Sequence, residues 1–307
     1  MLINIIAPIY NEQDNVKKLV TELSEFANLY PQHKFEFVLV NDGSSDDSHK
    51  RILELDDERI VYIRLSRNFG KEAAVIAGLD YAKDADAATI IDSDLQMPIR
   101  YIGQMIENYE KGVKLTICKK KSRDTKNIKG FLAQKYYSVF SRMTKSNIVE
   151  DALDFVFMDN QVINEVRQNR ESNRFFKGII ATVGFEYEVL EIEIDERVSG
   201  ESSYGSFSQL FSYGFVSLAA YSKIPLYFAI YLGILTALSS FIYGVVVIIS
   251  YFVYGNDVPG YSTLLCVMLF LFGIILVVLG IIGYYIGLIL DEVKERPLYI
   301  VDEVYKK

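Results

Sequence analysis

Three acidic or polar clusters each follow an apolar run, and their residue types could do chemistry together. Asp92-Ser93-Asp94 close the run that begins at Ala87. In extended chain, residues two apart point to the same side, so two carboxylates there would repel unless a cation or donor sits between them. A hard divalent ion, Mg2+ or Mn2+, suits such oxygen ligands and keeps positions open for a diphosphate. It would neutralise charge growing on a leaving diphosphate. Such acidic pairs also serve as helix caps, so the motif alone decides nothing. Pro8-Ile9-Tyr10-Asn11-Glu12 follows the first apolar run. Tyr10 can stack on or flank a base and Glu12 can accept hydrogen bonds, although acidic residues also suit the start of a helix. Asn41-Asp42-Gly43-Ser44-Ser45-Asp46 follows the second run. Gly43 permits a tight turn, Ser45 or Asp46 could cap the next helix, and Asp42 could bind a base or ribose edge.

These clusters need elements that gather them at one edge. Short runs rich in Ile and Val, at Leu2–Pro8, Phe35–Val40, Ile60–Leu65, Ala87–Asp92 and Lys114–Cys118, read as strands. Between them, Asn15–Tyr30, Ser45–Leu55, Lys71–Ala82 and Ile99–Lys111 read as helices. Such alternation implies an α/β domain with a mostly parallel sheet covered on both faces. Ligands then bind beyond the carboxyl ends of the strands, where all three clusters fall. Further along, a helix is expected at Gly130–Met143, a strand at Phe155–Met158, a helix at Asn160–Gln168 and a β segment at Phe185–Ile194.

Composition then separates the chain into parts. A net charge of -8 argues against nucleic acid as a partner. The two cysteines, Cys118 and Cys266, offer neither a disulfide framework nor zinc spacing. His33 and His49 are read as plain surface residues. Residues 224–254 and 262–290 are apolar and free of Lys, Arg, Asp and Glu, and each exceeds the roughly 20 residues a membrane-spanning helix needs. The short connector between them implies an antiparallel hairpin. Lys223, Lys294, Arg296, Lys306 and Lys307 flank the other ends, which places both termini in the cytoplasm by the positive-inside rule. Residues 204–223 are expected to form an amphipathic helix at the membrane interface, residues 1–203 the cytoplasmic α/β domain, and residues 291–307 a cytoplasmic tail. Residues 119–129 are strongly basic, suited to anionic lipid or to bound phosphates.

Taken in order, Pro-x-Tyr-Asn-Glu, Asp-Gly-Ser-x-Asp, Ser66-Arg67-Asn68-Phe69-Gly70-Lys71-Glu72-Ala73-Ala74 and Asp-x-Asp-Leu-Gln resemble family two glycosyltransferases of the GT-A fold. The closer resemblance is to polyprenyl-phosphate glycosyltransferases, such as dolichyl-phosphate mannose synthase and bactoprenol glucosyltransferase. Arg174-Phe175-Phe176-Lys177-Gly178, Arg197-x-x-Gly200-Glu201-Ser202, the apolar hairpin and Glu292-x-Lys294-x-Arg296-Pro297-x-Tyr299 extend it over the whole chain.

The resemblance implies a role for each matching position. Pro8, Tyr10, Glu12 and Asp42 would hold base and ribose, with Lys71 and Asp92 near the phosphates. Asp92, Asp94 and Gln96 would hold the metal. Asp151, Asp154, Arg123 and Arg197 would form the catalytic set, with Lys120, Arg123, Arg197 and Ser202 on the acceptor phosphate. A lipid phosphate is already anionic near neutral pH, so Asp154 orients the acceptor or its basic partners and need not abstract a proton.

The implied reaction transfers a hexose, glucose or N-acetylglucosamine, from a UDP-linked donor to undecaprenyl phosphate at the cytoplasmic face, for a wall polymer or antigen. The resemblance also implies a homo-oligomer. The sequence departs from the family pattern at Met97, Lys120, Leu153, Val156 and Ser203, the last two being positions where a cation is usual. The alternative is a catalytically weakened nucleotide-sugar-binding or scaffold protein. A processive synthase is disfavoured because the chain has no Trp. A dinucleotide oxidoreductase is disfavoured because no G-x-G-x-x-G follows the first strand.

Overall fold

Leu2–Ile9 (β1) is apolar along almost its whole length because both its faces are covered. Its neighbours Lys34–Asn41 (β2) and Ala87–Ile90 (β4) run parallel to it, and Ile60–Leu65 (β3) runs parallel to β2. Leu115–Lys120 (β5), Ala152–Asp159 (β6), Tyr187–Ile192 (β7) and Val301–Lys306 (β8) complete one sheet, in the order β7-β5-β6-β4-β1-β2-β3-β8. β6 is antiparallel to both its neighbours, and β8 is antiparallel to β3. The structure, a computed structural model, describes residues 1–121, 149, 151–171, 174–194, 224–254 and 260–307. The expected helices at 130–143 and 204–223 lie outside them.

Helices cover both faces. Val16–Asn28 (α1), Ser48–Leu53 (α2) and Tyr101–Glu110 (α4) lie on one side, where Leu19, Leu23 and Met105 join Ile3, Ile5, Phe37 and Phe155 in a core. Lys71–Tyr81 (α3), Asn160–Gln168 (α5) and Phe176–Thr182 (α6) lie on the other, where Ile76, Leu79, Ile163 and Ile179 pack on Ile6, Val38 and Val156. α3 lies close to β1 because residue 78 is Gly: a Cβ there would come within 2.3 Å of Ile6 Cγ2.

Chain order matters for the site. β1 sends its connection to β2 on one side, while β4 lies on its other side, so the strand order reverses between β1 and β4. A crevice opens at such a reversal, at the carboxyl ends of the strands. Tyr10–Glu12 and Asp92–Gln96 flank it.

The structure changes several expectations. β4 stops at Ile90, so Asp92 and Asp94 sit in a turn and not on a strand, and Leu95 takes a φ of 60° there. Lys119 and Lys121 carry the basic run out of β5 but face acidic partners. Their ammonium groups lie 2.8 Å from Glu191 and 3.1 Å from Glu193, because β7 runs parallel to β5 in register. Neither histidine is a plain surface residue. His49 Nδ1 lies 2.8 Å from the Tyr62 hydroxyl, which accepts from Asn41, and the half-buried His33 lies 3.4 Å from Glu110.

Ile224–Tyr254 (α7, 31 residues) and Tyr261–Val293 (α8, 33 residues) form a separate unit. At about 1.5 Å per residue, each is longer than the roughly 30 Å of a bilayer's hydrocarbon core. Both are long and apolar enough to cross a membrane, and Phe241, Phe252, Leu276 and Ile289 stand exposed on them. Arg296–Lys307 group with the sheet domain. The segment expected to be a tail therefore supplies that sheet's edge strand.

Candidate active site

Four loops meet at the carboxyl edge, and side chains stitch them together. Asn11 adopts φ 55°. Its backbone N–H donates to Ser44 Oγ at 3.0 Å, and its side-chain oxygen accepts from Ser45 N at 2.8 Å. Glu12 N–H donates to Ser48 Oγ at 2.9 Å, and Gln13 N–H to Asp46 Oδ2 at 3.1 Å. Asp46 Oδ1 also accepts from Ser48 N at 3.0 Å, but the N-cap position of α2 is Asp47, one residue beyond the expected cap, and its side chain makes no capping bond. Pairing the loops after β1 and β2 in this way leaves the Tyr10 ring 48% exposed at the crevice.

Asp42 joins the second loop to the third. It is 2% exposed, and its two carboxylate oxygens accept from Phe69 N at 2.7 Å and Gly70 N at 2.8 Å. Burial pushes its carboxyl above the ordinary value, against the pull of those two donors. Asp42 thus shapes the Arg67–Gly70 loop, a task that its sequence position did not reveal. Gly43 lets that loop come close: with φ 63°, a Cβ on it would stand 2.3 Å from the Arg67 carbonyl carbon. Gly43→Ala is therefore expected to push the 67–70 loop away. It should quicken hydrogen exchange at amides 67–70 at least about fivefold while the sheet stays folded, since a strained non-Gly residue costs about 1–3 kcal/mol. Exchange followed by mass spectrometry checks this, and unchanged rates at 67–70 would refute it.

The third and fourth loops supply charge. Lys71, the first residue of α3, places Nζ 2.6 Å from Asp92 Oδ1 and 2.8 Å from Asp154 Oδ2. Asp154 Oδ1 lies 4.0 Å from Lys177 Nζ on α6. A line of alternating charge, Asp92–Lys71–Asp154–Lys177, thus crosses the site. Burial pushes the Asp92 carboxyl above its ordinary value, and Lys71 only partly opposes this. For Asp154, burial is outweighed by Lys71 and Lys177, which hold its carboxyl below the ordinary range. The two carboxylates flank one ammonium yet shift in opposite directions: burial dominates at Asp92, where the Asp154 and Asp94 carboxylates add to it, whereas Asp154 faces a second cation. Lys71 itself resists the desolvation that would discharge it, since the two carboxylates raise its pKa. Lys177 was visible in the sequence only as part of Arg-Phe-Phe-Lys-Gly, with no role attached.

Asp94 is 8% exposed, and its Oδ1 accepts from Gln96 N at 3.1 Å. Asp92 and Asp94 offer hard carboxylate oxygens. Among the described residues no three His, Cys, Asp or Glu side chains gather into a ready-made metal cage. Two hard carboxylate oxygens of this kind suit an Mg2+ or Mn2+ ion whose other ligands would come from a diphosphate and water. Pro8 is buried in β1 opposite Val40. Glu12 Oε2 accepts from Asn15 Nδ2 at 2.6 Å. Asp151, exposed with φ 55°, offers its backbone oxygen to Lys120 N at 3.1 Å. Arg123, Arg197, Ser202 and Ser203 lie outside the described residues. Val156, where the family pattern has a cation, is 2% exposed in the core beside Ile117. A charge there would be desolvated, so this departure leaves no gap in the site.

The mostly parallel mixed sheet, the crevice at its reversal and the Asp92–Asp94 turn define a glycosyltransferase of the GT-A fold. The model of glycosyl transferase family 2 matches residues 4–167. The SfII prophage-derived bactoprenol glucosyl transferase of Shigella flexneri is 36% identical, over 100% of this chain and 99% of that protein. CsbB of Bacillus subtilis is 36% identical over 98% of this chain and 92% of its own length. The glycosyltransferase sll0501 of Synechocystis sp. is 36% identical over 99% and 95%. The chain belongs to glycosyl transferase family 2.

Proposed function

We propose that this glycosyltransferase moves a hexose, glucose or N-acetylglucosamine, from a UDP-linked donor to undecaprenyl phosphate at the cytoplasmic membrane face. The observation that carries this reading is the charge line beside the Asp92–Asp94 turn, in a chain that aligns end to end with a bactoprenol glucosyl transferase. Tyr10 and Glu12 flank the base and ribose, and Asp42 acts through the loop that it shapes. Asp92, Asp94 and Gln96 would hold a divalent cation, Mg2+ or Mn2+, and that ion would supply stabilisation of negative charge on a departing diphosphate.

Two anions must approach each other for transfer, and the protein supplies cations for that task. Lys71 and Lys177 lie on either side of Asp154, and Lys120, Arg123 and Arg197, with Ser202, receive the acceptor phosphate. Asp154 is too weak a base to take a proton near neutral pH. It keeps Lys71 and Lys177 in place, so that positioning and electrostatic stabilisation carry the rate. The apolar helices and their flanking cations support a two-helix membrane anchor with both termini in the cytoplasm. The catalytic domain comprises residues 1–203 together with the returning segment Arg296–Lys307, and the assembly is a homo-oligomer. The lipid-linked sugar then serves a wall polymer or antigen.

The test uses full-length protein in nanodiscs with undecaprenyl phosphate, Mg2+ or Mn2+, and radiolabelled UDP-glucose or UDP-N-acetylglucosamine. Labelled lipid in the organic phase is the expected result with one of the donors. If neither donor nor any other nucleotide sugar gives labelled lipid, the reading fails.

A further inference from the structure

The chain beyond α8 packs against the loop that carries Lys71. Only Lys294 and Glu295 separate α8 from Arg296, where the chain rejoins the sheet domain. β8 then pairs with β3, Val301 opposite Leu65 and Glu303 opposite Arg64. Just before β8, three consecutive residues each hold a different part of the site's support. The Ile300 carbonyl accepts from Ser66 N at 2.9 Å, at the start of the 66–70 loop. Leu298 lines a cavity of about 260 Å³ together with Phe69, Gly70, Lys71, Glu72 and Arg174. Tyr299 donates its hydroxyl to Asp80 Oδ2 at 2.6 Å.

Asp80 lies near the far end of α3 from Lys71. Its carboxylate also accepts from Arg167 Nε at 3.0 Å and from Arg170 at 2.7 and 2.8 Å. Tyr299 therefore docks on a carboxylate that already fixes α5 to α3. α3 is a single 11-residue helix, so holding one end of it constrains the other. The 66–70 loop is gripped from two directions: by Asp42 through Phe69 and Gly70, and by the C-terminal segment through Ser66. Lys71 Nζ must sit within hydrogen-bond reach of two carboxylates at once, and a displacement of about 1 Å in such an arrangement costs rate heavily.

We propose that Leu298–Ile300 is a clamp for the 66–70 loop and Lys71, with Tyr299 as its positioning residue, so that the donor site is complete only with the chain beyond α8 in place. The inference rests on the reading of Lys71 as a donor-site residue. It makes the C-terminal segment part of the enzyme's working parts and predicts that the first 200 residues alone hold an incomplete site.

The test compares Tyr299→Phe and Asp80→Asn with the wild-type full-length protein in nanodiscs. Tyr305→Phe serves as control, because among the described residues that hydroxyl bonds Glu303 of the same strand, at 3.0 Å. Hydrogen exchange at amides 66–72 should quicken about ten- to a hundredfold in Tyr299→Phe and Asp80→Asn, as expected for one lost hydrogen bond to a charged group. Amides in β1 should be unchanged. With UDP-glucose and undecaprenyl phosphate, the KM for the nucleotide sugar should rise about three- to tenfold while that for the lipid stays constant. Tyr305→Phe should match wild type throughout. Unchanged exchange at 66–72 would overturn the clamp. So would equal quickening in β1 and β4, which would mark Tyr299 as a general stabiliser. The exchange comparison needs no sugar transfer, so it decides the clamp even for a protein that fails the proposed reaction.

Discussion

Asp94→Asn is expected to lower sugar transfer by about 10²–10³-fold, the cost of removing one preorganised stabiliser of developing negative charge. The substitution is chosen to spare the fold. Asp94 Oδ1 accepts from Gln96 N and helps hold the turn in which Leu95 takes φ 60°. An Asn carbonyl can keep that hydrogen bond, so the turn survives and only the charge is lost. Asp92 is left as the one carboxylate able to ligate a hard cation in that turn, and Lys71 already lies 2.6 Å from it. Titration of activity with Mn2+ should therefore show a weaker apparent affinity for the ion, alongside an unchanged thermal midpoint. Activity within about threefold of wild type at low Mn2+ would remove Asp94 from the proposed metal site.

The sequence showed this turn clearly but misjudged its shape. Two carboxylates two residues apart would share a side if the strand continued. Nothing in Asp-Ser-Asp-Leu-Gln signals that β4 ends at Ile90 or that a leucine takes the left-handed conformation normally left to glycine. The buried strands were legible because runs such as Ile60–Leu65 are apolar on both faces and bounded by polar turns. The long helices were legible for the same reason, from unbroken apolar runs. β8 was not. Val301–Lys306 reads Val-Asp-Glu-Val-Tyr-Lys, has one neighbouring strand and is mostly exposed, so its pairing with β3 leaves no apolar signature. Asp42 shows a different limit. A carboxylate at a strand end can face a ligand or bind the backbone of the next loop, and its bonds to Phe69 and Gly70 could not be read from the sequence. Lys177 was hidden by distance. Its seven-residue helix has little periodicity to read, and its meeting with Asp154 depends on how α6 packs on β6.

That meeting sets the second large effect. Asp154→Asn is expected to lower kcat by about 10²-fold, the loss expected when a cationic pair shifts by about 1 Å, with little rise in the KM for the nucleotide sugar. The charges explain the asymmetry. Asp92, Lys71, Asp154 and Lys177 sum to zero in the wild type, and the Asn variant leaves the line with one excess positive charge. Extra positive charge does not weaken the binding of an anionic diphosphate, so the defect falls on the chemical step. The pH dependence separates this role from that of a base. The Asp154 carboxyl is held below its ordinary value of 3.8, so it is ionised throughout pH 5–8 and adds no limb to the rate profile there. Its ionised form is favoured by the fold, so that contribution to stability is present at neutral pH. It is lost as the pH falls through the folded value. A phosphate monoester loses its second proton near pH ~6, so a rising limb in that region belongs to the lipid acceptor. Wild type and Asp154→Asn should therefore show the same limb at the same midpoint, with the variant lower at every pH. If the limb disappears or moves by more than about one unit in the variant, Asp154 takes the proton after all. Lys177→Met would then be the variant to lose least, because a base needs no second cation to hold it.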